Sequence, residues 1–388
     1  FLIMFVTFMG WLSKLLILIL IQIGGLNIIA FATYFISFFR KSVTGVRNQA
    51  SIKELLHTDN LANTKKMVKM IVLTAFVIEL IGIVVIYHQW DPQVSFLNNS
   101  EKLFYSVFHA ISAFNNAGFT LFSGGFTNTA VQQTFPLHTT IALLIVLGGL
   151  GFTTIQDTFN TIGRRGHNTM HIQSKIAWVA TVLLIFIGAT VFFLSEKFNT
   201  LGQLNLSQSV TTSIFQSITA RTAGFNTVSF SNLTPVAIIV IMILMFIGAS
   251  SGSTGGGIKT STLAVLLFAI FKNKKRRINY GSSFITTMVV KKASTIVFFS
   301  FTIILVSTII LAFVESDKTI VQLCFEEISA FGTVGLSTGI TPELSTIGKS
   351  VIMLNMFIGR IGPLALGYAL IGKIDSSRQK SKQTLMIG

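Results

Sequence analysis

Charged side chains are scarce in this sequence: Asp, Glu, Lys and Arg make up 11% of its 388 residues. Soluble domains usually carry about a quarter charged residues, because their surface must meet water. The low share excludes an ordinary soluble globular protein. Hydrophobic residues reach 51%, and they occur in runs that fit the roughly 20 residues needed to cross a bilayer. The sequence therefore predicts an all-α polytopic membrane protein.

Cysteine and acidic residues are also few. The single cysteine, Cys324, has no partner for an intrachain disulfide. Only 13 acidic residues stand against 29 basic ones, a net charge of +16, which by itself would favour nucleic acid binding. The basic residues, however, concentrate in polar gaps between apolar runs, at 40–69, 164–175, 272–292 and 373–382. Acidic residues occupy the alternating gaps.

This alternation predicts the orientation in the membrane. Basic loops lie on the cytoplasmic side of membrane proteins, so the acidic gaps face outward in a multi-pass protein of the plasma membrane. Basic charge that follows topology excludes a nucleic acid partner and favours contact with anionic membrane lipid. The sequence holds no Ser-His-Asp set, paired catalytic carboxylates or dinucleotide fingerprint in a suitable context. We therefore predict no enzymatic activity, no bound cofactor and no transition-metal site.

Long and short apolar segments alternate along the chain. The predicted spans are 11–39, 66–88, 136–160, 172–196, 234–271, 287–314 and 345–372. Between them lie mixed segments at 101–114, 207–220 and 318–330. With about 13 residues, these segments are too short to cross a bilayer and have the length of re-entrant helices. All three lie on the acidic, outer side.

The short segments carry a motif that occurs three times. The copies are FHAISAFNNAG at 108–118, FQSITARTAG at 215–224 and FEEISAFGTVG at 325–335. A further glycine follows each copy inside the next apolar run, at Gly148, Gly248 and Gly359. A fourth copy of that second element, QIGGL, stands at 22–26. The order of span, short helix, glycine loop and span is thus an internal repeat.

The spacing predicts fourfold pseudo-symmetric membrane-pore-membrane repeats with re-entrant pore helices. The first repeat is expected to be incomplete, because its glycine loop would precede residue 1. The predicted units are the second span of repeat 1 with a cytoplasmic loop (1–65), repeat 2 (66–171), repeat 3 with a broken second span (172–286) and repeat 4 with a cytoplasmic tail (287–388).

Glycine loops at membrane depth suggest cation binding. Non-helical backbone survives there only where it lines water or is buried in protein. A ring of backbone carbonyls can replace the hydration shell of a cation, and glycine permits the dihedral angles that this requires. The alternative is that each glycine only allows close packing of helices.

These motifs resemble those of Ktr-type potassium transporter membrane subunits, within the Trk/Ktr/HKT superfamily. The similarity runs from QIGGL through FHAISAFNNAGF, RTAGFN, FIGASSGSTGGGIKT and SAFGTVGLSTGITPELS to MFIGRIGPL. It implies four covalently joined membrane-pore-membrane repeats around one potassium pathway. It also implies a homodimer on a cytosolic, KtrA-like ring of regulatory subunits, which would bind any nucleotide in place of this chain.

The resemblance also implies a selectivity filter and a gate. The ion-binding filter residues would be Asn116, Ala117, Gly118, Phe119, Thr222, Ala223, Gly224, Phe225, Thr333, Val334, Gly335 and Leu336. Their backbone carbonyls would coordinate K+. The gate would comprise Gly252, Ser253, Thr254, Gly255, Gly256, Gly257 and Arg360. We refer below to 116–119, 222–225 and 333–336 as the filter segments and to 252–257 as the gate loop.

The gate assignment has alternatives. Glycine costs a helix roughly 1 kcal/mol relative to Ala, so the sequence predicts a break at 252–257. The break is either a gate or a passive kink. Arg360 either pairs with this loop or extends to the inner membrane surface.

The predicted function is potassium uptake through a carbonyl-lined filter, gated by the glycine-rich loop and regulated by a cytosolic nucleotide-binding subunit. Channel-like and coupled transport both fit, with or without dependence on Na+. Two alternatives stay open. One is a sodium or mixed cation transporter of the same superfamily, since the first filter segment is absent from these residues. The other is a membrane sensor or binding protein that no longer transports.

Overall fold

The computed structural model describes residues 10–25, 61–163 apart from positions 93 and 95, 170–271, 277–280 and 283–362. Its helices are α1 (Trp11–Gly25), α2 (Leu61–Gln89), α3 (Asn99–Phe114), α4 (Thr129–Gln132), α5 (Phe135–Leu150), α6 (Phe152–Gly163), α7 (Ile172–Glu196), α8 (Leu206–Thr219), α9 (Pro235–Phe246), α10 (Thr260–Phe271), α11 (Thr287–Val314), α12 (Ile320–Phe331) and α13 (Thr346–Ile361). Strands β1 (Arg277–Tyr280) and β2 (Ser283–Thr286) form an antiparallel hairpin. Most of the predicted unit at 1–65 and the predicted tail lie outside the described residues.

Long apolar helices dominate the fold. Among the described residues, three helices are long and apolar enough to cross a membrane: Lys69–Gln89 within α2, α7, and Val289–Val314 within α11. A bent pair, α5 with α6, makes a fourth if it counts as one span. Only 22% to 33% of their most apolar windows is buried, and large side chains such as Phe186 and Phe313 lie on the surface. Apolar surface of this extent requires lipid, so the chain is an integral membrane protein.

The predicted span at 136–160 is wrong in one respect, because it is not one straight helix. Helices α5 and α6 meet at an angle of 98°. Gly151 lies between them with φ +86°, in the left-handed region. A side chain there would also press against the backbone of Ser251 and Gly252. The apolar pattern continues through the bend, so hydropathy alone did not reveal it.

The three short helices start at similar caps. The side chain of Asn98 accepts a hydrogen bond from the Glu101 amide at the start of α3. Capping boxes begin the other two: Asn205 with Gln208 at α8, and Thr319 with Gln322 at α12. An N-cap with Glu or Gln three residues later satisfies amides that the first turn leaves unpaired. These helices therefore begin at defined residues within two positions of the predicted ones.

Buried carboxylates tie successive apolar helices together where one helix ends and the next begins. Glu196, which ends α7, accepts hydrogen bonds from the amide and the hydroxyl of Thr234, at 2.8 and 2.7 Å. Glu315, just after α11, accepts the same pair from Ser345, at 2.9 and 2.6 Å. Thr234 and Ser345 are the N-caps of α9 and α13. Each carboxylate thus fixes where the next span begins.

Glycines in α5 and α13 allow these helices to approach the ends of the short helices α3 and α12 closely. A methyl carbon placed on Gly148, in α5, would overlap the carbonyl oxygen of Phe114, where α3 ends. One placed on Gly359, in α13, would overlap the carbonyl oxygen of Phe331, where α12 ends. Two of the three glycines that follow the sequence motifs, Gly148 and Gly359, therefore serve close packing of helices, whereas Gly248 lies against the backbone of Gly256.

We predict that Gly359→Ala lowers the thermal stability of the purified protein. The added methyl group must displace the end of α12, and overpacking of this kind costs about 1–3 kcal/mol. Detergent-solubilised protein should show the shift in a fluorescence-detected melting curve. Gly163→Ala is the matched control, since no atom from another part of the described chain lies within 4 Å of the added carbon. Equal melting temperatures for the two variants would contradict the close packing at Gly359.

Candidate functional site

The three filter segments share one unusual backbone conformation. In each, the first residue and the glycine two positions later have positive φ angles. The φ angles are 51° and 71° at Asn116 and Gly118, 70° and 86° at Thr222 and Gly224, and 51° and 92° at Thr333 and Gly335. Left-handed backbone is disfavoured for residues other than glycine and clusters at functional sites. Its repetition at matching positions indicates a common local function.

One hydroxyl residue braces each segment from the preceding helix. Ser112 Oγ donates to the Phe119 carbonyl at 2.8 Å, Thr219 Oγ1 to the Phe225 carbonyl at 2.7 Å, and Ser329 Oγ to the Leu336 carbonyl at 2.6 Å. The braced carbonyl is in every case that of the residue after the glycine. The brace therefore fixes the outgoing backbone of all three segments in the same way.

The same hydroxyl residues also hold the incoming backbone. Their carbonyl oxygens accept the amide hydrogens of the residue before the glycine, with Ala117 at 2.8 Å, Ala223 at 3.0 Å and Val334 at 2.9 Å. These amides are thereby occupied. In the part of the chain that the structure describes, no protein donor is assigned to the carbonyl oxygens of these three residues. They remain available as ligands for a cation.

The segments converge on one place. A methyl carbon on Gly118 would lie 3.0 Å from Gly224 Cα and would overlap the Ala223 carbonyl oxygen. One on Gly224 would overlap the Val334 carbonyl oxygen, and one on Gly335 would lie 3.9 Å from Gly224 Cα. The carbonyls of neighbouring segments thus point toward the adjacent glycines. Glycine is required at these positions for space as well as for φ.

The short helices add a favourable electrostatic contribution. Helices α3, α8 and α12 each end directly before a filter segment. The C-terminal end of a helix carries partial negative charge. Three such ends next to the filter segments favour a cation there over an anion.

The gate loop lies directly against the filter segments. A methyl carbon on Gly255 would overlap the Thr222 hydroxyl and lie 3.3 Å from the end of the Asn116 side chain. One on Gly256 would overlap the Thr333 hydroxyl. The loop therefore contacts the first residue of all three segments. At its two central glycines, no space for a side chain remains between the loop and the filter segments.

The ends of the gate loop are pinned to neighbouring backbone. The backbone before the loop is hydrogen-bonded to the backbone after it, because the Gly248 amide donates to the Ile258 carbonyl at 2.9 Å. The Gly252 carbonyl accepts from the Phe152 amide at 3.2 Å, which ties the loop to the start of α6. The break in the predicted span at 234–271 is therefore a compact, hydrogen-bonded loop between α9 and α10.

Two cationic side chains bind the carbonyls of the gate loop. Lys259 Nζ donates to the Gly255 carbonyl at 2.6 Å. Arg360 Nη1 donates to the Thr254 carbonyl at 2.8 Å, and its Nη2 donates to the Gly24 carbonyl on α1 at 3.1 Å. Positive charge beside the filter segments opposes a cation, so this arrangement both stabilises the loop and repels an ion that would pass it.

The structure brings the predicted site residues together and adds others. Ser112, Thr219, Ser329 and Lys259 were missed by sequence reasoning. The three hydroxyl residues had left a signal, since Ser or Thr recurs at one position of every motif copy. Lys259 had left a weaker signal, as a single basic residue inside the predicted span at 234–271, where an ionisable side chain is costly.

Comparisons with known proteins identify the family of this chain. The profile of the TrkH family, described as cation transport protein, matches residues 7–379. The Ktr system potassium uptake protein B of Vibrio alginolyticus is 39% identical over 381 residues, which cover 97% of this chain and 82% of the relative. The potassium/sodium uptake protein NtpJ of Enterococcus hirae is 34% identical over 386 residues, which cover 97% of this chain and 83% of the relative.

A solved structure has the same fold. The crystal structure of the potassium transporter TrkH from Vibrio parahaemolyticus is 16% identical and aligns with a TM-score of 0.66. The alignment covers 90% of this chain and 70% of that one. With the family profile and the relatives above, the conclusion is that this chain belongs to the TrkH family of cation transport proteins, as a Ktr B-type member of the Trk/Ktr superfamily.

Proposed function

We propose that this chain carries potassium inward across the plasma membrane, through a filter lined by backbone carbonyls of the three filter segments. The convergence of Gly118, Gly224 and Gly335 carries the proposal. A dehydrated cation needs several oxygen ligands at once, and backbone carbonyls from separate segments supply them. The recurrence of one backbone conformation supports membrane-pore-membrane repeats with re-entrant helices α3, α8 and α12.

The identity of the transported ion is proposed from the names of the relatives. The Vibrio alginolyticus relative is named a potassium uptake protein, which supports K+ as the transported ion. The name of the Enterococcus hirae relative includes sodium. A sodium or mixed cation transporter is therefore the second candidate, and a comparison of rubidium with sodium uptake separates the two.

The gate loop closes the pathway in this proposal. Its glycines contact the first residue of each filter segment, and Lys259 and Arg360 hold its carbonyls. Opening requires the loop to withdraw and these hydrogen bonds to break. The basic loops, including the one with β1 and β2, would lie on the cytoplasmic side. There a nucleotide-binding ring could act on a homodimer, and the designation of the relative as part of a Ktr system supports a partner subunit.

We predict that Gly224→Ser abolishes selective uptake. A left-handed backbone costs a residue other than glycine roughly 1–2 kcal/mol, and the new side chain would also displace the Val334 carbonyl. Rubidium uptake by proteoliposomes at low rubidium concentration should fall at least about tenfold, the factor that such a cost gives. Gly339→Ser is the matched control, because Gly339 also has positive φ, 102°, but among the described residues no atom beyond its chain neighbours lies within 4 Å of the added carbon.

The control separates a filter from strained backbone in general. Gly339→Ser should retain the rubidium affinity of the wild type. If both variants lose uptake equally, or if Gly224→Ser transports normally, the filter assignment fails.

We predict that deletion of residues 252–256 raises rubidium flux several-fold in the absence of a partner subunit. The deletion removes the backbone that lies against the filter segments. Flux into proteoliposomes measures the effect. Combining the deletion with Gly224→Ser should abolish the gain, since the filter is still required.

A single substitution tests the same contact with less disturbance of the fold than the deletion. Arg360→Gln removes the guanidinium that bonds to Thr254 and Gly24 and should raise flux in the same direction. Unchanged flux in both variants, each eluting as a single species on size-exclusion chromatography, would identify the loop as a passive kink.

A further inference from the structure

A buried carboxylate lies beside the first described filter segment and belongs to no predicted site. Glu79, within the spanning helix α2, is 3% exposed. An ionisable residue inside a span is energetically costly and most often has a function. One carboxylate oxygen accepts from Asn115 Nδ2 and the other from Gln22 Nε2, both at 2.9 Å. In the part of the chain that the structure describes, Glu79 forms no salt bridge.

Asn115 is the hinge between a short helix and its filter segment. It is the C-cap of α3, and Asn116, with φ 51°, follows it directly. The Asn115 side chain also donates to the Ile111 carbonyl at 2.9 Å. Glu79 therefore anchors the point at which the backbone turns from helical to left-handed. Through Gln22, the same carboxylate binds α1 to this hinge.

The corresponding positions in the other two segments are built differently. Arg221 precedes Thr222, and its guanidinium donates to Thr181 Oγ1, on α7, at 3.4 Å. Gly332 precedes Thr333 and has no side chain to anchor. Among the three described segments, the hinge before Asn116 is therefore the one held by an acidic residue. Otherwise matching filter segments differ at this point.

We propose that Glu79 is a positioning residue that holds the segment 116–119 in its ion-binding geometry and thereby sets the discrimination between K+ and Na+. Glu79 acts through Asn115 and does not touch the ion. Selectivity of a carbonyl-lined filter depends on the spacing and number of its oxygens, so a shift at the hinge before Asn116 changes it. This inference rests on the proposed function.

The test is Glu79→Gln, which keeps the shape of the side chain. The new amide has one acceptor oxygen, and its NH2 group faces another NH2 group, from Asn115 or Gln22. We expect the ratio of rubidium to sodium uptake in proteoliposomes to fall roughly tenfold, as for loss of a hydrogen bond to a charged group. The rubidium KM should rise while the maximal rate changes less.

Exchanging the carboxylate and the amide between positions 79 and 115 tests whether their contact restores selectivity. Asn115→Asp alone places two carboxylates side by side and should impair selectivity as well. The double variant Glu79→Gln with Asn115→Asp restores an amide-carboxylate pair in reverse order and should recover part of the ratio, since the new aspartate cannot donate to the Ile111 carbonyl. Such coupling between two substitutions isolates the contact from their separate effects.

Glu315→Gln is the matched control, since Glu315 is also a buried carboxylate, 6% exposed, that accepts hydrogen bonds at the start of a helix. It should lower the melting temperature and leave the uptake ratio unchanged. A lower melting temperature without a changed ratio in Glu79→Gln would overturn the inference, and so would a double variant no better than either single one. Wild-type protein without cation uptake would instead refute the proposed function.

Discussion

Water is absent from the hydrocarbon core of a membrane, so each irregular stretch of backbone must find its hydrogen-bond partners within the protein. The three filter segments satisfy this constraint in one way. An amide returns to the end of the short helix, and a hydroxyl from that helix takes the carbonyl after the glycine. Among the described residues, the carbonyls before the glycines have no assigned protein donor, and in the proposed function a cation completes them.

The same constraint explains the gate loop. Its carbonyls accept hydrogen bonds from Lys259, from Arg360 and from the backbone at the start of α6. The carbonyls of Gly252, Thr254 and Gly255 are therefore satisfied, which stabilises this loop of small residues. In the proposed function, withdrawal of the loop breaks these hydrogen bonds, so the freed carbonyls need other partners when the pathway opens.

Glycine has two separate uses in this fold, and the sequence pattern did not assign them. Gly118, Gly224 and Gly335 supply left-handed backbone where the filter segments meet. Gly148 and Gly359 instead allow α5 and α13 to contact the ends of α3 and α12. Both are spaced by the same repeat. Only the backbone angles and the neighbouring atoms separate a glycine needed for conformation from one needed for space.

The sequence by itself determined the membrane class, the spans at 66–88, 172–196 and 287–314 and the three short helices, because hydropathy, charge and caps are properties of neighbouring residues. It missed the bend at Gly151, since the apolar pattern runs through it. Tertiary structure alone decided which distant groups meet: Arg360 with Thr254, and Glu79 with Asn115. These contacts depend on how helices pack across the bundle, and a linear pattern of residue types carries no distance between them.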